Sequence, residues 1–446
     1  MKQVIFFFIV FLTKYTAFAQ ITELTLQQCV ETAVQNNLQI RQGAAGVQLT
    51  GNAVQQSKLT LLPNLNFNSA YYVNYGKSID YTTNLFVNGN FQSHTYSLSS
   101  YMTLYQGGIK GNTIKKTEFD YERSQLEQES LIENIKLYVV MGYLQVLFAE
   151  DQVRIAEQKK ITSTQQLDNS KKIVQAGNLP EGNLLALEAQ IAADEVGLVQ
   201  AKNLVDLAYL DLKNLMQVEP TQQIKIVYAD INAFENVMDT PIPEVQQVID
   251  AALLTQPGIQ KFKYQLESDA LGVKIAQGDA LPSLTVSGSV TTNYSDVTYI
   301  GFPEPDSYGD QLDNNLGEAI GLTLTVPIFN NGLVTLNKQN AELNYFNTEI
   351  AQQIAINDLK KSVTEAVTNS TAARASYDAA LLSYNASLKA FEFEEKKFQA
   401  GQSNSLNYTI AANNLEQASI TLSQAKYDYL FKRKVIDYYL GLPLNF

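Results

Sequence analysis

The residues in this chain that could do chemistry are few and scattered. His94 is the only histidine and Cys29 the only cysteine. A nucleophile–imidazole pair, a multi-histidine zinc centre and a disulfide each need partners that this sequence does not supply. Glu394 and Glu395 adjoin within a predicted long helix and read as a solvated face. Asp296, Glu304, Asp306, Asp310 and Asp313 crowd one polar stretch, Ser295 to Asn315. That stretch offers oxygen ligands to a divalent cation, but a solvated acidic loop fits it better. No glycine-rich phosphate loop or nucleophile elbow occurs. The chain is therefore not predicted to be an enzyme, and neither a cofactor nor a metal site is predicted.

The elements that carry these residues suggest another role. The net charge is −13 with 17% charged residues, which argues against nucleic acid as a partner because phosphate binding needs concentrated Lys and Arg. The remaining polarity comes from Asn, Gln, Ser and Thr, which suits a water-filled lumen. The opening segment has Lys2, an apolar run from Val4 to Leu12 and the small-x-small pattern Ala17-Phe18-Ala19. It is predicted to be a secretory signal peptide over residues 1–19, its apolar run being too short to span a bilayer.

The rest of the chain is duplicated. Gln28 to Pro63 aligns without a gap on Gln247 to Pro282 at an offset of 219, pairing Ala33 with Ala252, Ile40 with Ile259 and Val54 with Val273. Further on the offset is 224, pairing Gly108 with Gly332 and "KKIVQAG" (Lys171 to Gly177) with "KKFQAG" (Lys396 to Gly401). Shared punctuation and periodicity carry this repeat more than matched letters do. The boundaries predicted are a first repeat over 20–218, a connector over 219–243 with one short strand from Ile224 to Tyr228, and a second repeat over 244–443. Each copy reads as helix, strand, loop, strand, very long helix, tight turn, helix. The strands fall at about 64–75, 95–106, 283–294 and 317–328, and the long helices at about 109–176, 180–216, 333–400 and 405–438.

All four strands alternate. Leu65, Phe67, Tyr71, Val73 and Tyr75 oppose asparagines, while Tyr96, Leu98, Met102 and Leu104 oppose Thr95, Ser97, Ser99 and Thr103. Leu284, Val286 and Val290 oppose serines and threonines, and Ile320, Leu322, Leu324, Val326 and Ile328 oppose Thr323 and Thr325. Such strands offer one oily and one wet face, and at about 3.3 Å per residue and a membrane tilt, ten to twelve residues cross an apolar band of about 25 Å. A soluble sandwich is a poor fit for two strand pairs nearly 200 residues apart. From Leu333 to Ala400, 68 residues run without Gly or Pro, enough for a continuous rod of about 100 Å. Within the matching rod, Leu131 to Ala149 is apolar enough to suggest a membrane helix, but Glu133, Asn134, Lys136 and Gln145 favour helix packing. An open four-stranded sheet leaves two edges unpaired in lipid, at several kcal/mol per group, so closure needs other chains. Three chains give twelve strands, an even-numbered barrel with a polar lumen.

At this point the chain resembles the TolC family of outer-membrane efflux proteins. The resemblance rests on the strand entries "LLPNLNF" (Leu61 to Phe67) and "ALPSLTV" (Ala280 to Val286) and the strand exits "LYQGG" (Leu104 to Gly108) and "PIFNNG" (Pro327 to Gly332). It rests also on the turns "VQAGNLPEGNLLALEAQ" (Val174 to Gln190) and "FQAGQSNSLNYTIAANN" (Phe398 to Asn414). The resemblance implies a mainly α fold with a transmembrane β part, each chain giving four strands to a trimeric twelve-stranded β-barrel continued by a long periplasmic α-helical barrel. It implies a passive outer-membrane channel of a tripartite efflux pump or type I secretion system in a Gram-negative-type bacterium. The implied partners are two further copies of the chain, outer-membrane lipid, a periplasmic adaptor (membrane fusion) protein, and an inner-membrane pump or ABC exporter. Ala176, Gly177, Ala400 and Gly401 would then be the hairpin tips that meet the adaptor, and Asn183, Asn407, Tyr408 and Ile410 would line the periplasmic entrance. The family narrows that entrance with acidic residues about six and nine positions after the second tip glycine. Here those positions are Asn407 and Ile410, so closure would rest on Tyr408 or on packing. The alternative reading is a periplasmic coiled-coil scaffold or adaptor, which would have no use for four strands of membrane-spanning length.

Overall fold

The computed structural model describes residues 22–79, 84–88, 90–177, 180–227, 240–296 and 306–444. The predicted signal peptide, Tyr228 and Glu304 lie outside them. In chain order the elements are β1 (Thr22–Leu24), α1 (Leu26–Asn36), α2 (Leu38–Leu59), β2 (Asn66–Asn74), β3 (Lys77–Ile79), β4 (Phe86–Asn88), β5 (Phe91–Gln106), α3 (Ile109–Gln175), α4 (Gly182–Met216) and β6 (Ile224–Ile226). They continue as α5 (Val245–Thr255), α6 (Pro257–Gly278), β7 (Ser283–Ser295), α7 (Tyr308–Asn314), β8 (Gly317–Thr325), α8 (Leu333–Gln399) and α9 (Ser405–Leu440).

The opening helix of each copy, read as one element from the sequence, is two. Asn37 and Gln256 are extended, with ψ of 124° and 115°, and they are repeat equivalents at the offset of 219. The first break is fixed by the Asn37 side chain, whose Oδ1 accepts from Gln39 N (2.9 Å) and Ile40 N (3.2 Å) and so caps α2. The second is fixed by Pro257, which disfavours a helical residue before it and suits the first turn after it.

The chain forms two compact units, and neither is a repeat. One gathers residues 22–43, 129–256 and 356–444, the other 44–128 and 257–355, among those described. In the first, two cores repeat each other. Cys29, Ala33, Val139, Tyr143 and Leu212 form the centre of one; their equivalents Val248, Ala252, Val363, Val367 and Ile436 form the other. The apolar run that looked membrane-like is the wall of the first core: Val139, Val140, Val146 and Leu147 have no exposed surface. β1 pairs in parallel with β6 beside it. Burial pushes the Cys29 thiol up to about 12, so the lone cysteine is a packing residue.

The second unit holds an antiparallel sheet in the order β2-β5-β7-β8. The two repeats meet where β5 pairs with β7, and β2 and β8 are its edges. The alternation expected along β5 breaks at Leu104, where a bulge lies between Thr103 and Tyr105 and places Tyr105 opposite Leu284. The short helix α7, which the sequence reading took as loop, is capped by the Ser307 hydroxyl accepting from Asp310 N.

Candidate functional site

Two regions carry the features a channel needs, one in each unit. In the sheet, register assigns every side chain to a face. Phe67, Leu98, Val290, Met102, Val286, Leu322, Ile320, Leu284 and Leu324 share one face. Most of these side chains are exposed, Phe67 at 68% and Ile320 at 91%, while Met102, Leu284 and Val286 are half-buried. On the other face stand Asn66, Asn68, Ser97, Ser99, Thr285, Ser287, Ser289, Thr291, Thr323 and their small neighbours Ala319 and Gly321. Among the described residues of the four strands, no charged side chain lies on that second face. The first face is interrupted by the exposed Glu318, opposite Val290 near the loop end, and a sheet with one largely apolar, exposed face and one neutral polar face is not a finished soluble surface.

The second region is the pair of helix turns. α3 ends at Gly177 and α8 at Gly401, with φ of +77° and +71°. At Gly401 the reversal is a complete Schellman motif: Gly401 N donates to Phe398 O (3.0 Å) and Gln402 N to Lys397 O (2.8 Å). The equivalent bond at the first turn runs from Gly177 N to Val174 O (2.9 Å). Asn404 then caps α9 by accepting from Asn407 N at 2.9 Å.

The two turns are tied side by side, because the buried Ser405 hydroxyl donates to Asn183 Oδ1 at 2.7 Å. Ala176, Gly177, Ala400 and Gly401 are all exposed at the tips, as are Asn407 and Ile410. Tyr408 is elsewhere than expected. Only 3% exposed, its ring sits 5.4 Å from Phe391 and 5.5 Å from Phe398, so it packs the interior of the hairpin and lines no opening within the chain. It lies on the opposite side of the helix from the exposed face, because at about 3.6 residues per turn α9 presents residues 407 and 410 outward and residue 408 toward α8.

Further along the same hairpins is a polar junction that the sequence reading missed. Lys159 of α3 reaches Asp194 of α4 at 3.2 Å and hydrogen-bonds Glu416 of α9. Asp194, 4% exposed, also accepts from Ser163 Oγ (2.6 Å) and Gln190 Nε2 (2.8 Å). Burial lowers the proton affinity of Lys159, but Glu416 and Asp194 outweigh it, and the ammonium titrates above its ordinary range. Beside this junction lies a cavity of about 520 Å³ whose walls include Ile155, Leu388, Phe391 and Leu415. Among the described residues no cluster of His, Cys, Asp or Glu has the geometry to hold a metal ion.

A duplicated chain with an uncovered amphipathic sheet and two long helical hairpins defines an outer-membrane channel subunit, and comparison with known proteins agrees. The chain belongs to the outer membrane efflux protein family, which matches residues 29–216 and 248–441, one match to each repeat. It is 24% identical over 416 residues to the outer membrane protein TolC of Vibrio cholerae, covering 91% of this chain and 88% of that one. It is 23% identical to the TolC of Escherichia coli, covering 93% and 82%. Among solved structures it shares the fold of CusC, with a TM-score of 0.79 at 16% identity over 95% of this chain and 93% of that one. The protein is an outer-membrane export channel of the kind used in efflux and type I secretion. The alternative of a periplasmic scaffold is thereby set aside.

Proposed function

We propose that three copies of the chain close their sheets into one twelve-stranded barrel, with the apolar face toward lipid and the neutral polar face toward a water-filled lumen, and that the helices continue the tunnel into the periplasm. The hairpin tips at Gly177 and Gly401 dock a periplasmic adaptor, which couples the tunnel to an inner-membrane pump or ABC exporter. The observation that carries this reading is the sheet: two unpaired edges, β2 and β8, flank an exposed apolar face. Each unpaired backbone group in lipid would cost several kcal/mol, and pairing β8 of one copy with β2 of the next removes every edge. The tips support docking by being exposed, turned by glycine and held level with each other through Ser405 and Asn183.

The test is the native mass of the protein extracted from outer membranes in mild detergent. The expected species has about three times the mass of one mature chain and is released only by detergent. A water-soluble monomer or dimer would overturn the barrel.

A further inference from the structure

At the loop end of the sheet, on the apolar face, the side chains change character. Tyr71 of β2, His94 of β5 and Tyr294 of β7 stand in one cross-strand row by register. The Tyr71 ring meets His94 edge-on at 4.7 Å, and Tyr96 stands two residues along β5. Tyr308, the first residue of α7, completes the group: its hydroxyl lies 2.9 Å from His94 Nδ1 and 2.7 Å from the Tyr96 hydroxyl, and its ring 4.6 Å from Tyr294.

The helix that presents Tyr308 is strapped to the strand. The Gln311 amide bonds both Ser295 N and Ser295 O at 3.0 Å, Thr292 Oγ1 donates to Leu312 O at 2.6 Å, and Asn315 Nδ2 to Asn293 O at 2.8 Å. The group is thus held in place yet open on one side, with Tyr71 53% and Tyr308 40% exposed. On the same face the register runs toward the helices through Ser69, Tyr96 and Thr292 to Phe67, Leu98, Val290 and Glu318, and beyond Glu318 the face is aliphatic at Ile320, Met102, Val286 and Leu322.

An aromatic row at this depth is where phenols settle between water and hydrocarbon. Its makeup says more than that. The group holds four phenols and an imidazole but neither lysine nor arginine, so it offers little to a phosphate and much to a sugar, whose ring stacks on aromatic faces and whose hydroxyls bond phenol and imidazole. Farther toward the helices, the apolar side chains from Phe67, Leu98 and Val290 to Leu322 offer a surface to acyl chains. An amphiphile with a sugar head and acyl tails matches both parts, and the outer leaflet is where the loop end of an outer-membrane barrel meets lipid.

We propose that Tyr71, His94, Tyr96, Tyr294 and Tyr308 form a binding site for the sugar headgroup of an outer-leaflet glycolipid, one site per chain. This rests on the reading that the apolar face meets lipid. The experiment is native mass spectrometry of the detergent-purified protein titrated with a phosphate-free diglucosamine glycolipid (dephosphorylated lipid A), with phosphatidylethanolamine, and with the deacylated headgroup. The protein mass reports the assembly, and the adduct mass reports the site, so the two readings fail separately. The expected result is one glycolipid retained per chain at concentrations where phosphatidylethanolamine is not, displaced by excess deacylated headgroup, with His94→Ala and Tyr308→Ala each weakening retention about tenfold. Equal retention of phosphatidylethanolamine, failure of excess free headgroup to displace the glycolipid, or unchanged retention in the variants would overturn the site. Should Tyr308→Ala disturb the strap, Tyr71→Ala decides alone, since its ring lies on the exposed side.

Discussion

Gly401 and Gly107 look alike in sequence, each closing a long element, yet the structure gives them opposite consequences. A Cβ at Gly107 would lie 2.3 Å from the Gly278 carbonyl oxygen, so that glycine is required by packing. At Gly401 nothing lies within 4 Å of the built Cβ, and only the φ of +71° resists a side chain, at a strain of about 1–2 kcal/mol. A large residue there is therefore tolerated by the fold and reports on what the tip touches. Gly401→Arg is expected to leave the native mass of the detergent-extracted protein unchanged and to abolish export in cells. Export at the wild-type rate from that variant would remove the adaptor from the tip.

Among the elements, three helices are pinned by one ammonium group. Lys159 on α3 joins Asp194 on α4 to Glu416 on α9, at a point where the Asp194 side chain has 1% exposure. Removing the lysine strands a buried carboxylate, which typically costs about 3–5 kcal/mol, whereas removing all three charges costs much less. Lys159→Met should accordingly speed amide exchange in the neighbouring turns of α4 and α9, and combining it with Asp194→Asn and Glu416→Gln should restore most of the protection. Protection unchanged in the single variant would show that the junction is not structural. The pH dependence follows from the raised titration of Lys159. Its contribution is fully present below the ordinary lysine range and is lost as pH rises through the higher folded value, so the exchange difference between wild type and Lys159→Met should be flat near neutrality and shrink in strong alkali.

For the molecule as a whole, the positions proposed to line the periplasmic entrance carry no charge. Asn407 and Ile410 are exposed at the second tip, Asn183 is half-buried at the first, and the polar face of the sheet is neutral along the described strands. In a planar bilayer, a multivalent cation added on the tip side should block the channel only weakly. Asn407→Asp, which adds one carboxylate per chain around the entrance, should tighten that block by about tenfold or more, because close carboxylates act together on one ion. Strong block of the unsubstituted channel would contradict a neutral entrance.

Much of this was legible in the sequence because it is decided over short spans. Two-residue alternation marks a strand with two different faces, and a helix without Pro runs until Gly177 or Gly401 ends it. The repeat could be read for the same reason, since equivalent positions meet equivalent local demands. The breaks at Asn37 and Gln256 also had local signals, a capping asparagine and a following proline, although the sequence reading passed over them. What only the tertiary structure decided are the meetings across distance. The two repeats join through β5 and β7 with a bulge at Leu104, and Tyr408 turns inward between Phe391 and Phe398. Lys159 finds Glu416 from 257 residues away, and α7 carries Tyr308 back onto His94. Local propensity does not specify such pairs. They follow from burying whole faces at once, when the free energy summed over a packed helix or a registered strand selects which residues become neighbours.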